Sequence, residues 1–506
     1  MDLLDRLWAL SDGPYHARPP RRDPLFVRLL RGLAHIAQWP WAMAAYMWRS
    51  ARRGLWQSRD ALKQTRPGTL RVARAMALRL ASQRRVQGVA ALIGVCALIV
   101  HAELASAQFM QPGAGIPGWS FLDQARCITC QVARSPDVQR ALTPGAYADL
   151  LLQRMTLDEQ LGQLIIVQFA GQDATPEALR MVAEQGVGGA LSFAANIQSS
   201  DQTRAMTSNL QHAAAIPLLM SVDQEGGLVN RFRAIIGPQP GANAMTTTAI
   251  ARERGQHDAS LLQTYGYNFN LAPVVDVGMA NPQLLDRTFG SDPQRVAALA
   301  GAYMAGLQDS GAVTACLKHF PGIGATTTDP HVSLPALTRS RADWERIDLA
   351  PYRTLLATGK VRAIMVTHEM IPAVDSQYPS SLSPAVIDGT LRRELGFQGV
   401  VITDSLSMGA LNNRWTVAQA AALAIRAGAD MIVGPQNAQV VAQVKDALRA
   451  AIASGQLSRA RIETSVKRVL TLKITMGLLP IPHPTSQATP TSRSATPANT
   501  PKKYGK

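Results

Sequence analysis

Between residues 145 and 478, short apolar runs alternate with amphipathic stretches. The runs read LGQLIIVQF (161–169), GVGGALSF (186–193), PLLMSVDQE (217–225), FNLAPVVDV (269–277), AVTACLKHF (312–320), VRAIMVTHE (361–369), GVVITDS (399–405) and ADMIVGP (429–435). Each is nearly continuous in apolar, often β-branched residues, as a strand covered on both faces must be. Between them, segments such as AEQ (183–185), RVAALAGAYMAGLQ (295–308) and TVAQAAALAIRAG (416–428) supply helices. A strand–helix unit repeated eight times in about 330 residues predicts an α/β fold of the closed (β/α)8 kind, a TIM barrel, over residues 150–478. A doubly wound open sheet would also use parallel strands, but eight is the number that closes.

Polar residues interrupt this pattern at particular places. Asp223 and Glu225 end the third run, Asp276 the fourth, Lys318 and His319 the fifth, His368 and Glu369 the sixth, and Asp404 the seventh. The C-terminal ends of barrel strands are where active sites of this architecture are built. One polar strand end is unremarkable, but five together predict a pocket. The stretch KHFPGIGATTTDPHVSLP (318–335) follows the fifth run, and its Gly and Pro residues exclude a single helix or long strand. An isolated Asp-x-His such as Asp329–His331 reads first as a solvated surface loop. Placed after the fifth strand, the loop opens onto the pocket instead.

Composition moves the picture mainly at the ends. The chain of 506 residues carries a formal charge of +16, with a pI near 10.2. Residues 1–85 hold about 17 Lys and Arg against about 5 acids, and the stretch after residue 480 adds four basic residues and no acid. The body is therefore nearly neutral, which excludes a phosphate-binding surface and a nucleic-acid partner. From Met76 the chain reads as a signal peptide: Arg79, Arg84 and Arg85 flank an apolar run from Val86 to Val100, and Ala105-Ser106-Ala107 is a cleavage pattern. In that reading residues 1–75 are a basic segment that need not be translated. The competing reading keeps Met1 and makes 86–102 an uncleaved anchor in the inner membrane. Both put the body outside the cytoplasm, in the periplasm or beyond. Cys127 and Cys130, in an extension spanning 108–149, suit a small-loop disulfide in an exported protein, and Cys316 a buried thiol within a strand. Residues 479–506, rich in Pro, Thr and Ser, read as a disordered tail.

Asp404, in VVITDSLSMGAL, is a carboxylate at a strand end followed by a tight turn, suited to act as a nucleophile or a metal ligand. No His and carboxylate cluster has metal-ligand spacing. No phosphate loop, dinucleotide glycine motif or G-x-S-x-G is present, so no metal or cofactor is expected. Carboxylates, a Lys, His and Arg residues on a barrel suit a polyhydroxylated sugar, which takes many charge-assisted hydrogen bonds. Glycoside cleavage needs one group to stabilise an oxocarbenium-like centre and another to protonate the leaving oxygen. Asp404 can do the first. His331, with one ring nitrogen held by Asp329, can do the second.

Five stretches in this order, SVDQEGGLVNRF (221–232), LAPVVDV (271–277), RTFGSDP (287–293), KHFPGIGATTTDPH (318–331) and VITDSLSMGAL (401–411), resemble glycoside hydrolase family 3, and most its bacterial β-N-acetylglucosaminidases. The resemblance covers residues 150–478. It implies a retaining mechanism with Asp404 as nucleophile and His331, oriented by Asp329, as acid/base. It also implies substrate contacts from Asp223, Arg231, Arg287, Lys318 and His319. Family members with a second αβα domain usually take the acid/base from elsewhere, so here the Asp-x-His loop is expected to supply it. The implied substrate is a terminal β-linked N-acetylglucosamine on a glycan or muropeptide, in peptidoglycan recycling, with the enzyme acting as a monomer. Relatives are often cytoplasmic, so export is a departure. Two residues also depart: Ile323 stands where the family commonly has His, and Leu228 where it commonly has Arg. Both bear on pocket shape and substrate preference. The rival readings are a β-glucosidase or β-xylosidase, a β-N-acetylglucosaminide phosphorylase, and a non-catalytic cell-wall glycan-binding protein.

Overall fold

The computed structural model describes residues 143–481. The segment with signal-peptide character, the Cys127–Cys130 pair and residues 482–506 lie outside the described residues.

Eight parallel strands close into a barrel: β1 (Ile165–Gln168), β2 (Gly189–Ser192), β3 (Leu219–Val222), β6 (Phe269–Asn270), β7 (Thr314–Phe320), β8 (Ala363–Val366), β9 (Val400–Ser405) and β10 (Met431–Val433). A small antiparallel hairpin, β4 (Gln224–Gly226) and β5 (Val229–Asn230), follows β3. The expected TIM barrel is thus the observed fold. Apart from Asp404 and Ser405 at the end of β9, the barrel strands are buried on both sides, and side chains alternate between two environments. Ile166, Leu191, Leu219, Phe269, Cys316, Met365, Ile402 and Met431 fill the barrel interior. Their neighbours Ile165, Val167, Ala190, Met220, Ala315, Ile364, Val401 and Ile432 belong to the larger core shared with the surrounding helices. Two faces both needing apolar cover explain why the runs lack polar alternation. Cys316 is a buried free thiol inside the barrel.

The outer ring is made by helices α1 (Pro144–Leu152), α2 (Leu157–Gln163), α3 (Ser200–Ala213), α4 (Thr248–Thr264), α5 (Pro293–Gln308), α6 (Arg341–Ile347), α7 (Ala350–Leu356), α8 (Val417–Ala427), α9 (Ala438–Ala453) and α10 (Arg459–Thr475). Short helical stretches at Pro176–Glu184 and Ala385–Glu394 complete the crossovers after β1 and β8. Local chemistry sets several boundaries. Thr156 and Glu159 form a capping box that starts α2, which takes the first three residues of the first apolar run out of the strand. The packed unit begins ahead of residue 150. Helix α1 buries Tyr147 and Leu151, and Asp149 pairs with Lys467 of α10 at 2.7 Å.

The fourth run is strand for only two residues. The cis Ala272–Pro273 peptide follows, and pairing with β7 continues irregularly through Val275 N to Lys318 O (2.7 Å) and Lys318 N to Pro273 O (3.2 Å). At the opposite end of the barrel, Val469 and Leu472 of α10 and Met476 just after it join the interior cluster and close its floor. Asp430, at the start of β10, gathers Arg392 (2.5 Å), Arg468 (3.2 Å), Ser465 (2.7 Å) and the amide of Val401 (3.0 Å), tying α10 to the sheet.

Lys473, also on α10, is fully buried with its ammonium 2.7 Å from the neutral Gln163 Oε1. Burial pushes its pKa down to about 7. Between that value and the ordinary lysine range the unfolded chain holds a proton that the folded one does not, so this group makes stability rise with pH. The penalty is full below pH ~7 and fades toward pH ~10. Lys473→Met should therefore stabilise the protein most at pH 6. Urea unfolding should show its advantage over wild type shrinking by about 2 kcal/mol by pH 9. An advantage independent of pH would mean that Lys473 keeps its proton in the fold across this range, as it does in the unfolded chain.

Candidate active site

The candidate site lies at the C-terminal strand ends, where Asp223, between β3 and β4, and Glu225, on β4, supply its first two acids. Gln224 is buried between them. Its amide donates to Asn270 Oδ1 (3.0 Å), its carbonyl accepts from Asn270 Nδ2 (3.0 Å), and its Oε1 accepts from the amide of Arg231 (3.0 Å). This clamp sets the positions of Asp223, Glu225 and Arg231 relative to β6.

Those acids meet cations from β7 and from the loop after β6. Lys318 Nζ lies 2.6 Å from Asp223 Oδ1 and 2.6 Å from Glu225 Oε1. Arg287 grips Glu225 with two bonds, Nε to Oε2 at 2.7 Å and Nη2 to Oε1 at 3.0 Å. Its Nη2 also lies 3.3 Å from His319 Nε2, while His319 Nδ1 lies 2.7 Å from Asp276 Oδ2. Because a guanidinium can only donate, His319 accepts at Nε2 and donates from Nδ1. Arg231 pairs with Asp223 at 3.7 Å and lies over the Phe193 ring, 5.5 Å from its centroid.

Burial alone would raise the Glu225 carboxyl, but Arg287 and Lys318 overcome it and hold it far below the usual carboxylate range. Burial likewise opposes the Lys318 ammonium, and Asp223 and Glu225 outweigh it, so its pKa is raised. The network is thus largely ionic, and each of its members is held by another.

Asp404 stands on β9, four strands from β3 in the barrel order. It is half-buried and accepts a bond from the amide of Ser405 at 2.7 Å. Burial works against its charge, but His368, His319, the Ser405 amide and Lys318 prevail, so its pKa is lowered. His368 is fixed by Ser381 Oγ (2.7 Å) and the Ser405 carbonyl (2.9 Å), and burial favours its neutral form. The neighbouring Glu369 does not join the pocket. It is fully buried with no hydrogen-bond partner for its side chain among the described residues, and burial raises its carboxyl well above the usual range.

The Asp-x-His loop reaches from β7 past β8 to the turn after Asp404. Gly409 N donates to His331 O (3.3 Å) and Ala410 N to Pro330 O (3.2 Å). A Cβ on Gly409 would come within 2.5 Å of His331 O, so only glycine permits this seating. Asp329 Oδ1 accepts from His331 Nδ1 (2.8 Å) and from the His331 amide (2.9 Å). Nε2 is left for proton transfer, on a ring that is 61% exposed.

The sugar-contact residues named from the sequence, Asp223, Arg231, Arg287, Lys318 and His319, therefore form one connected network. Asp404 stands beside it, and the Asp329–His331 pair is seated on its turn. The sequence reading saw Glu225, Asp276 and His368 only as strand ends. Their roles, as the two-pronged anchor of Arg287, the partner of His319 and the partner of the Ser405 carbonyl, become visible in the structure. Of the two departures, Ile323 is buried in a small apolar cluster with Val274 and Leu284 beneath the loop. Leu228 sits at the hairpin tip, 61% exposed, with its amide held by Asp286.

A closed (β/α)8 barrel with acids and bases crowded at its C-terminal mouth has the architecture of an enzyme active site, and similarity to known proteins identifies it as that of a glycosidase. The glycosyl hydrolase family 3 N-terminal domain matches residues 156–472, and the chain belongs to that family. It is 35% identical over 279 residues to a "Beta-hexosaminidase" of Alkalilimnicola ehrlichii, covering 53% of this chain and 79% of that one. It is 36% identical over 334 residues to "Beta-hexosaminidase LpqI" of Mycobacterium tuberculosis, covering 62% and 82%. A family 3 β-N-acetylglucosaminidase from Paenibacillus superposes with a TM-score of 0.61 at 38% identity, covering 64% of this chain and 63% of that one.

Removing Arg287 leaves Glu225 with Lys318 alone. Arg287→Met should cost roughly 3 kcal/mol at neutral pH, the low end for breaking a buried pair. Because Glu225 has a depressed folded pKa, its stabilising effect is present above the usual carboxylate range and is lost as pH falls below it. The variant should therefore lose less stability than wild type on acidification. Denaturant titrations at pH 7 and pH 3.5 check both. Equal acid sensitivity would mean that Lys318 alone depresses Glu225.

Proposed function

We propose that this protein is a retaining β-N-acetylhexosaminidase that removes terminal β-linked N-acetylglucosamine, with peptidoglycan fragments as the natural substrate. The observation that carries the reading is the seating of the Asp329–His331 loop on the Gly409–Ala410 turn, next to an Asp404 held in its charged form. The names of its relatives point the same way.

In the first half-reaction the Asp404 carboxylate attacks the anomeric carbon, and the glycosidic C–O bond breaks. His331 Nε2 delivers its proton to the leaving oxygen. In the second, His331 Nε2 takes a proton from a water that attacks the same carbon, and Asp404 is released as a carboxylate. Asp329 keeps Nδ1 as the donor throughout and stabilises the imidazolium. Asp223, Lys318, Arg287, His319 and Arg231 hold the sugar hydroxyls. Export through the Met76–Gln108 segment would place this reaction on wall fragments outside the cytoplasm. N-terminal sequencing of protein from its native host should then read from about Gln108, and recovery of an intact Met1 form from the cytoplasm would exclude export.

Asp404→Ala should lower turnover by roughly four orders of magnitude or more, and a fluorinated N-acetylglucosaminide that traps the intermediate should label the peptide carrying Asp404. His331→Ala should slow disaccharide cleavage roughly a hundredfold to ten-thousandfold, but release of dinitrophenol far less, since that leaving group departs without a proton. Equal losses on both substrates would remove His331 from the acid/base role. Product analysis in phosphate buffer separates hydrolysis from phosphorolysis. N-acetylglucosamine 1-phosphate as the main product would make the enzyme a phosphorylase.

A further inference from the structure

We propose that Gln283 is a positioning residue for the acid/base pair, joining it to the sugar-binding network. This rests on the Asp329–His331 reading above. Asp329 spends Oδ1 on residue 331, accepting from both its ring and its amide. Its other oxygen accepts from Gln283 Nε2 at 2.8 Å. With only Oδ1 engaged, the carboxylate could rotate about its Cβ–Cγ bond and let the imidazole swing with it. With both engaged, the carboxylate plane and the ring are set.

Gln283 is itself held from several directions. Its carbonyl accepts from Arg287 Nη1 at 2.9 Å, and its amide donates to Asn281 Oδ1 at 2.9 Å. Asn281, fully buried, bonds Thr326 Oγ1 (2.8 Å) and the Thr328 carbonyl (3.2 Å), which lie on the way to Asp329. Leu284, next in the chain, is buried against Val274 and Ile323. Arg287 therefore has three commitments, to Glu225, to His319 and to the backbone of Gln283. The connected path runs from Glu225 through Arg287, Gln283 and Asp329 to His331.

The residue type matters. A primary amide offers a donor without a charge, so it orients Asp329 and leaves its negative charge to the imidazolium. A carboxylate in its place would repel Asp329 but add negative charge near the ring. An apolar side chain of the same size would release Asp329.

The test uses Gln283→Leu and the near-isosteric Gln283→Glu in the full chain, with His331→Ala as reference. Activity is measured on chitobiose and on dinitrophenyl β-N-acetylglucosaminide across pH. Gln283→Leu should lose about tenfold or more in kcat/KM on chitobiose, within the general acid range, and less than about twofold on the dinitrophenyl substrate, with KM for the latter unchanged. The alkaline limb of the chitobiose profile should move to lower pH in Gln283→Leu, because the imidazolium loses an ordered partner. It should move to higher pH in Gln283→Glu, because a negative charge is added. Equal losses on both substrates, or alkaline limbs unmoved in both variants, would overturn the inference and leave Gln283 a loop contact. If His331→Ala discriminates between the leaving groups and Gln283→Leu does not, this inference alone falls. If His331→Ala does not discriminate, the acid/base reading falls and takes the inference with it.

Discussion

Everything at the mouth of the barrel depends on the pairing of two buried cations, Lys318 and Arg287, with the acids of the β4–β5 hairpin. Taking a lysine ammonium out of water is costly, and two carboxylate contacts at 2.6 Å offset that cost. The location of the pairing is as telling as its strength. Strand β6 is only two residues long, so the ladder of backbone bonds is thinnest between β3 and β7. There the ion pairs and the Asn270–Gln224 clamp take over from the sheet as the connection across the gap. The charges that would hold a sugar thus also hold the rim of the barrel, which limits how freely any one of them can be exchanged.

The two ends of the barrel solve different problems. At the floor, α10 brings apolar side chains into the interior, and Asp430 collects arginines and backbone from three directions. These contacts serve packing. At the mouth, loops are fastened to one another by a few polar contacts each: the hairpin tip to Asp286, the 281–287 stretch to the Asp-x-His loop, and that loop to the turn after β9. A chain of fastened loops places groups from four strand ends around one point without any one loop being rigid by itself.

Much of this was legible in the sequence. Eight apolar runs gave the closed barrel because burial on both faces leaves a strong, short-range signature. Strand-end acids and bases stood out because nothing about packing calls for them there. Asp404, the Asp329–His331 pair and the residues named as sugar contacts were picked out by motif and order, and the fold brings them to one end of the barrel. Less visible were features fixed by tertiary proximity. The capping box at Thr156 and Glu159 shortened the first run into a helix end, since a local side-chain bond outweighed the apolar pattern. The fourth run lost most of its strand to Pro273, which cannot donate to the ladder. Gln283 had no signal at all: it lies in an irregular loop, is neutral, and matters only through two partners 46 and 4 positions away. Glu369 showed the reverse, a carboxylate that looks like pocket chemistry in the sequence and is walled off in the fold.

The exposure of the His331 ring has a further consequence. Acids sunk deep in a cleft recover their protons through ordered water or a chain of side chains, and that supply can limit or bias turnover. Here the ring opens directly to bulk solvent when no sugar is bound. In the mechanism proposed above, its protonation state would then be set by the buffer before each substrate arrives. On that reading no internal proton conduit is needed to recharge the acid, and substitutions in the interior would have none to interrupt.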